Sequence, residues 1–176
     1  VRRDAGMFDV SHMCPVDVEG ADARAFLKRL VANNVDKLTQ SGKALYACML
    51  NDGGGVIDDL IIYFLRDDWF RVVVNASTRD KDLDWIARQG SGFGVTLTER
   101  RDYAMIAVQG PTARSRVHGL LSADGSARAD RLGKFVGTEI DGMFVARTGY
   151  TGEDGYEIMV PELDAVTFWS RLVGAG

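Results

Sequence analysis

Two stretches of the chain place acidic side chains where acid–base or hydrogen-bonding chemistry could occur. The first is Gly53-Gly54-Gly55-Val56-Ile57-Asp58-Asp59-Leu60-Ile61-Ile62-Tyr63, where two carboxylates stand at the point a glycine turn enters a strongly apolar strand. Side chains alternate faces along a strand, so one aspartate shares a side with Ile57, Ile61 and Tyr63, and the other with Leu60 and Ile62. A carboxylate against apolar surface is costly unless it is paired or hydrogen-bonded. Such a group is a candidate for acid–base or substrate-orienting work; a solvated strand entrance or a turn cap would use the same residues without function. The second stretch is Thr148-Gly149-Tyr150-Thr151-Gly152-Glu153-Asp154-Gly155-Tyr156-Glu157. Its spaced glycines suggest a phosphate loop, but no lysine follows the last glycine, and Glu153, Asp154 and Glu157 would repel phosphate. An acidic, aromatic, glycine-shaped loop better suits a cationic or donor-rich planar ligand. Glu157, in a strand-like stretch, could accept two parallel hydrogen bonds from an amidine-like edge such as a pterin presents. The plain alternative is a tight turn with exposed acids.

Weaker candidates surround these. Tyr46, Tyr63 and Tyr150 could stack on a flat ring, although aromatics in strands are more often core. Met13 is more often core filler than a ligand contact. Asn75 ends an apolar strand and is either a turn residue or one that reaches into a site. Ser11-His12 invites a nucleophile–base pairing, which is discounted because adjacent strand residues point apart.

Composition narrows the function classes. The chain has 176 residues, 46% hydrophobic and 26% charged, an ordinary globular balance. A net charge of −4 argues against a nucleic-acid-binding surface, which needs a basic stripe. The longest apolar stretch, Leu60 to Leu65, is too short to span a membrane. No signal peptide is expected, since the charged start has no apolar core behind it. Cys14 and Cys48 form no C-x-x-C pair, so no zinc site is expected, and reduced buried thiols are favoured over a disulfide. With two histidines and no thiol cluster, metal chemistry is not expected. The valine at position 1 and the stop just after a helical pattern lead us to expect a piece of a longer protein.

The elements that must position these residues follow from periodicity. Phe8 to Val18 reads as one strand, and a helix follows Gly20 with Ala23, Phe26, Leu27, Leu30 and Val31 on one side, ending at Asn33-Asn34. Strands are expected at Ala44 to Leu50, Val56 to Leu65 and Trp69 to Asn75, joined by short turns into an antiparallel meander. Ser77 is the expected N-cap of a helix that turns Leu83 and Ile86 inward and ends near Gly90; Gly94 to Glu99 is a strand. Helix, three strands, helix and strand over 21 to 99 fit a ferredoxin-like α+β unit. A second unit follows: a strand from Tyr103 to Val108, a helix with Pro111 at its first position running to about Leu121, a loop over 122–131, a hairpin around Asp141-Gly142, a strand from Tyr156 to Val160 and a closing helix from Leu163 to Val173.

Taken together, seven segments resemble the T protein of the glycine cleavage system, in its bacterial form. They are Gly6 to Met13, Gly42 to Tyr46, Gly54 to Leu60, Val73 to Ala76, Lys81 to Leu83, Val108 to Pro111 and Arg147 to Glu157, in order and over nearly the whole chain. The resemblance implies a tetrahydrofolate-dependent aminomethyltransferase. Such an enzyme takes the aminomethyl group from the lipoylated H protein and passes the one-carbon unit to tetrahydrofolate. It gives 5,10-methylenetetrahydrofolate, ammonia and the dihydrolipoyl H protein. The resemblance assigns the catalytic role to Asp59, with Asp58 held in reserve should the register be read wrongly, and the pterin contact to Glu157. Other folate contacts match Met13, Tyr46, Ile61, Tyr63, Val73, Asn75 and Tyr150. No metal, nucleic acid or membrane partner is implied, and the setting is the bacterial cytoplasm.

The implied fold is a ferredoxin-like folate-binding subdomain at 18–98 and a second antiparallel α+β subdomain from 1–17 and 99–176, with the carboxy-terminal barrel absent. The family's two folate-contacting arginines lie in that missing part. Weak folate binding and no turnover are therefore expected of this piece alone. The alternatives are a folate-binding iron–sulfur cluster assembly factor, a folate-dependent demethylase or dehydrogenase domain on the same scaffold, or an interaction module without a ligand.

Overall fold

The strand expected from Phe8 to Val18 is in fact two strands in different sheets: β1 (Gly6–Asp9) and β2 (Cys14–Glu19). The connecting Val10–Met13 contains no glycine, proline or asparagine, so its composition gave no sign of a break. Tertiary bonds make the break instead: the Met105 N–H donates to Ser11 Oγ at 3.0 Å and the Val10 N–H to the Met105 carbonyl at 2.9 Å. The computed structural model describes residues 1–176 and divides into two units, one of His12–Arg101, the other of Val1–Ser11 with Asp102–Gly176. β2 thus belongs to the first of these, not with the residues preceding it.

In the His12–Arg101 unit β2 is followed by α1 (Ala23–Leu30), β3 (Ala44–Leu50), β4 (Val56–Arg66), β5 (Trp69–Val74), α2 (Arg79–Gly90) and β6 (Thr96–Glu99). The sheet order is β3-β4-β5-β2-β6, antiparallel throughout. Without β3, the order β4-β5-β2-β6 is that of a ferredoxin-like βαββαβ unit; β3 is an added edge strand. α1 buries Ala23, Phe26, Leu27 and Leu30, the spacing of one helix face. It stops at Leu30, short of Asn33, because Val31 is drawn into a β-bridge with Met49. Both helices cover one face of the sheet, whose core includes Val16, Val18, Leu60, Ile62, Val72, Val74 and Ile86. Ser77 is exposed and does not cap α2; Thr78 occupies the N-cap position, and its hydroxyl donates to Asp58 rather than capping the backbone.

The other unit adds β7 (Tyr103–Gln109), α3 (Ala113–His118), α4 (Ala123–Asp130), β8 (Gly137–Ile140), β9 (Met143–Ala146), β10 (Gly155–Pro161) and α5 (Glu162–Gly174), in the antiparallel order β1-β7-β10-β9-β8. Its helices pack on Ile106, Val108, Val145, Tyr156, Ile158 and Val160. Two expectations are corrected here. α3 begins at Ala113, two residues after Pro111. Residues 122–131 are not a loop: α4 runs from Ala123 to Asp130, capped by Ser122, whose Oγ accepts from Gly125 N at 3.0 Å. Gly125 and Ala129 are its buried residues, small enough for a close approach that a hydrophobic count overlooks. The β8–β9 hairpin turns at Asp141 (φ 51°) and Gly142 (φ 80°), the pair of positive φ values a tight primed turn requires. Cys14 and Cys48 are free thiols, and no helix is long and apolar enough to cross a membrane.

Candidate functional site

The alternation of β4 separates its two aspartates. Leu60 and Ile62 lie in the core beneath the helices, so Asp58 faces α2, while Asp59 shares the helix-free face with Ile61 and Tyr63. Cross-strand register then assembles a row on that face: Tyr46 opposite Ile61, Ile61 opposite Val73, Val73 opposite Pro15. Met13 and Asn75 fall on the same side by alternation, just beyond the ends of β2 and β5. Seven of the sequence candidates, Met13, Tyr46, Asp59, Ile61, Tyr63, Val73 and Asn75, therefore share one surface of one sheet. Ile61, Tyr63 and Val73 are buried, whereas Tyr46 is 44% exposed. Further along, Tyr63 lies opposite Arg71 and Arg71 opposite Asp17.

The entrance to β4 is shaped locally. Asn51 Oδ1 accepts from the N–H groups of Gly53 and Gly55 at 3.0 and 2.9 Å, tying the glycine turn down. Gly54 sits at φ 80°, where a side chain would be strained. Next to it the register shifts, so that Met49 opposes Asp58 but Leu50 opposes Val56, leaving Ile57 bulged. Bulges re-aim side chains and cluster near functional sites. Lys81 Nζ donates to the Ile57 carbonyl at 2.7 Å and so holds the bulge from α2.

Both aspartates are well supplied with donors. Asp59 accepts from the Tyr46 hydroxyl and, at 2.8 Å, from Asn75 Nδ2. Asp58 accepts from the Thr78 hydroxyl, from Asn75 Nδ2 at 3.0 Å and from the Asp59 N–H at 2.8 Å. Burial works to raise the Asp58 carboxyl, but these bonds, with a contribution from Asp82, outweigh it and hold the group below its ordinary value. Asn75 thus bridges the pair rather than serving as a plain turn residue.

The Val1–Ser11 and Asp102–Gly176 unit repeats the arrangement in simpler form. Tyr156 and Ile158 of β10 lie in the helix-covered core, so Glu157 faces the helix-free side. Its strand neighbours are Ala107 and Ala146, both with short side chains. Thr148 Oγ1 donates to Glu157 Oε2 at 2.5 Å. Burial pushes the Glu157 carboxyl above its usual value, and the Thr148 bond offsets part of that.

The other two acids of this stretch are occupied. Arg147 grips Asp154 with both arms of its fork, at 2.8 and 2.6 Å, and Arg2 pairs with Glu153 at 2.7 Å. The acidic character read from the sequence therefore reduces to one carboxylate. Buried Gln109 organises the loop, donating to the carbonyls of Thr148 and Tyr156 at 3.0 and 3.2 Å and accepting from Thr151. Tyr150, at 68% exposure, stands on the loop surface. Ser11 and His12 make no nucleophile pair: Ser11 Oγ is bonded to the Met105 backbone, and His12 is exposed.

Sequence reasoning did not single out Thr78, Asp82 or Thr148. Asp82 had a usable signal, since it shares the buried stripe of α2 with Ile86 and Gly90 at four-residue steps.

The profile of the GCVT N-terminal domain matches residues 1–176. The chain belongs to the GCVT N-terminal domain family. The aminomethyltransferase of Xanthomonas campestris pv. campestris (strain 8004) is 59% identical over 181 aligned residues, covering 100% of this chain and 49% of that protein. That of Nitrosomonas eutropha is 58% identical with the same coverage of each. Among solved structures, the glycine cleavage system aminomethyltransferase T from Bartonella henselae superposes with a TM-score of 0.89 at 33% identity, over 98% of this chain and 46% of that one. The heterotetrameric sarcosine oxidase of Corynebacterium sp. U-96 matches at a TM-score of 0.65 and 13% identity, a likeness of fold alone. This GCVT N-terminal domain thus spans about half the length of the curated relatives it matches.

Proposed function

We propose that this chain is the folate-binding part of a tetrahydrofolate-dependent aminomethyltransferase of glycine cleavage, acting with a lipoylated H protein in the bacterial cytoplasm. The observation that carries the reading is the helix-free face of the β3-β4-β5-β2-β6 sheet. It offers a tyrosine, apolar side chains and a carboxylate fixed by two side-chain donors in one continuous row. A flat, partly apolar heterocycle with amine nitrogens is the kind of substrate such a row accommodates.

The overall exchange is balanced without an external proton. The S–CH2–NH2 group and the N5–H and N10–H of tetrahydrofolate give S–H, ammonia and the N5–CH2–N10 bridge. As N5 attacks the methylene carbon it must shed a proton, and the departing nitrogen must gain one. In this reading Asp59 accepts the first and returns it. Tyr46 and Asn75 hold the carboxylate in one orientation, so no reorganisation is needed when the C–N bond forms. In this reading Met13, Ile61, Tyr63, Val73 and Tyr150 supply stacking and apolar contact. Glu157 accepts the pterin's ring N–H and exocyclic amine in a bidentate, charge-assisted pair.

The test is calorimetric titration of the full-length protein with a stable reduced folate, beside Glu157→Gln and Asp59→Asn. Loss of a charge-assisted hydrogen bond is worth about 1.5–3 kcal/mol, so Glu157→Gln should weaken binding roughly 10- to 100-fold. Asp59→Asn should abolish turnover while changing affinity far less. Unchanged folate affinity in Glu157→Gln, in a protein that melts normally, would remove the pterin assignment.

A further inference from the structure

Asp82 is a fully buried carboxyl that the proposed chemistry does not use. It lies in the first turn of α2, against the core-side face of β4. Neither of its oxygens receives a hydrogen bond. The same helix turn meets β4 around it, Thr78 bonding Asp58 and Lys81 the Ile57 carbonyl, and the Asp58 and Thr78 side chains both act on its carboxyl. Thr78 has a single hydroxyl proton, and that proton goes to Asp58 Oδ2. Lys81 stands 3.7 Å from Asp82 Oδ1, half exposed, with its close bond made to the Ile57 carbonyl instead. Asp82 therefore faces Asp58 with no donor of its own to meet. Two carboxylates in that position would repel; a carboxyl and a carboxylate share a strong hydrogen bond.

We propose that Asp82 is a positioning residue for the aspartate pair: a proton held between Asp82 and Asp58 ties α2 to the entrance of β4 and so sets the orientation of Asp59. The chain of contacts is short. In the proposal Asp82 supplies the proton to Asp58; Asp58 in turn accepts from Asn75 and from the Asp59 N–H, and Asn75 also donates to Asp59 Oδ1. Thr78, from the same helix turn, closes the group. The charged groups facing Asp82 are Asp58 and Lys81. Burial first, and then Asp58, push the Asp82 carboxyl up to about 6, with Thr78 and Lys81 opposing. The tie is therefore protonated on the acid side of neutrality and loosens as the pH rises through that value.

The inference rests on the proposed role of Asp59, and the experiment separates the two. Turnover of the full-length enzyme with tetrahydrofolate and aminomethylated H protein is measured against pH for wild type, Asp82→Asn, Asp82→Ala and Asp59→Asn, each checked by thermal melting. Asparagine keeps a permanent donor toward Asp58, so Asp82→Asn should match wild type at about pH 5 and exceed it at about pH 8. Asp82→Ala should lose tenfold or more in kcat with the folate KM within twofold, because the substrate contacts remain. If Asp82→Ala does not fold, the pH dependence of the ratio of Asp82→Asn turnover to wild-type turnover decides alone. A ratio that does not change with pH, or an asparagine variant as impaired as the alanine one, would overturn the positioning role. If Asp59→Asn itself stays active, it is the catalytic reading that falls. Carboxyl-carbon NMR of the full-length protein gives a readout independent of activity: a side-chain carboxyl titrating near 6 in wild type should disappear in Asp82→Asn.

Discussion

The candidate face of the ferredoxin-like sheet is built around a buried ion cluster, and its asymmetry makes a quantitative prediction. Arg71 is fully buried and grips Asp17 through Nε at 2.7 Å and Nη2 at 3.0 Å. Arg100, one-fifth exposed, reaches the same carboxylate at 2.6 Å. Asp17 therefore serves two guanidinium groups, and deleting it strips the carboxylate from both. Removing one partner of a buried pair costs about 3–5 kcal/mol, because an uncompensated charge stays inside. Arg71→Met differs: Asp17 keeps Arg100, so the loss is that of one charged hydrogen-bonded contact, about 1.5–3 kcal/mol, partly offset by apolar filling. The double variant Asp17→Leu/Arg71→Met should recover most of the larger loss, since Arg100 can turn to solvent. The assay is urea denaturation of wild type, Asp17→Ala, Arg71→Met and the double variant, with constant m-values as the check on the reference state. Asp17→Ala should be the least stable by about 1–3 kcal/mol relative to Arg71→Met. Equal losses in the two single variants would mean that Arg100 does not share the carboxylate, and the argument would fail. Since Arg71 lies opposite Tyr63, the proposed folate site predicts that folate affinity falls with Asp17→Ala even below its melting range.

Three further outcomes follow from the same geometry. Asp82 has a folded value raised from 3.8 to about 6, so the stability tied to its proton is complete below the unfolded value and is lost as pH rises through the folded one. The two-unit shift corresponds to ~3 kcal/mol, so Asp82→Asn should gain on wild type by up to about that much between acid and mildly alkaline pH; denaturation at each pH reads the gap, and a pH-independent gap contradicts it. Gly149→Ala would place a Cβ 2.1 Å from Gln109 Oε1, on a side chain already bonded to three loop groups; a loss of about 2 kcal/mol is expected by thermal melting. Ser122→Ala removes the cap of α4 and its bond to Asp141, and should cost about 1 kcal/mol, with amide exchange quickening first in that helix.

The strands were legible because apolar runs of β-branched and aromatic residues ended at glycine or acidic turns. β3 and the hairpin at Asp141-Gly142 lie where the pattern placed them. What the pattern lacked was information carried by distant partners. The turn after Asp9 is made by Met105, almost a hundred residues away. α1 ends where Met49 claims Val31. α4 escaped notice because its inward residues are glycine and alanine, which carry no hydrophobic signal even though they permit close packing. The Ser77 cap failed for a different reason: a threonine one residue later was recruited to a carboxylate across the unit, and the helix start moved with it.

Alternation did more for the candidate site than any motif. Once Leu60 and Ile62 are assigned to the core, the side taken by Asp59 follows, and the register brings Tyr46, Ile61 and Val73 into one line without appeal to their chemistry. The same reasoning places Glu157 between two alanines on the helix-free side of its own sheet. In each unit the helices consume one sheet face for stability, and the proposed binding residues, apart from Tyr150 on its loop, lie on the other side. An antiparallel sheet can leave a face for ligand in this way, where a parallel sheet needs both faces covered. Helical spacing could have marked Asp82 as buried, but not its importance, which depends on what lies opposite: on an exposed helix the same aspartate would be an ordinary first-turn acid. Facing a second carboxylate with no donor to spare, it becomes the group whose proton decides how the pair is held.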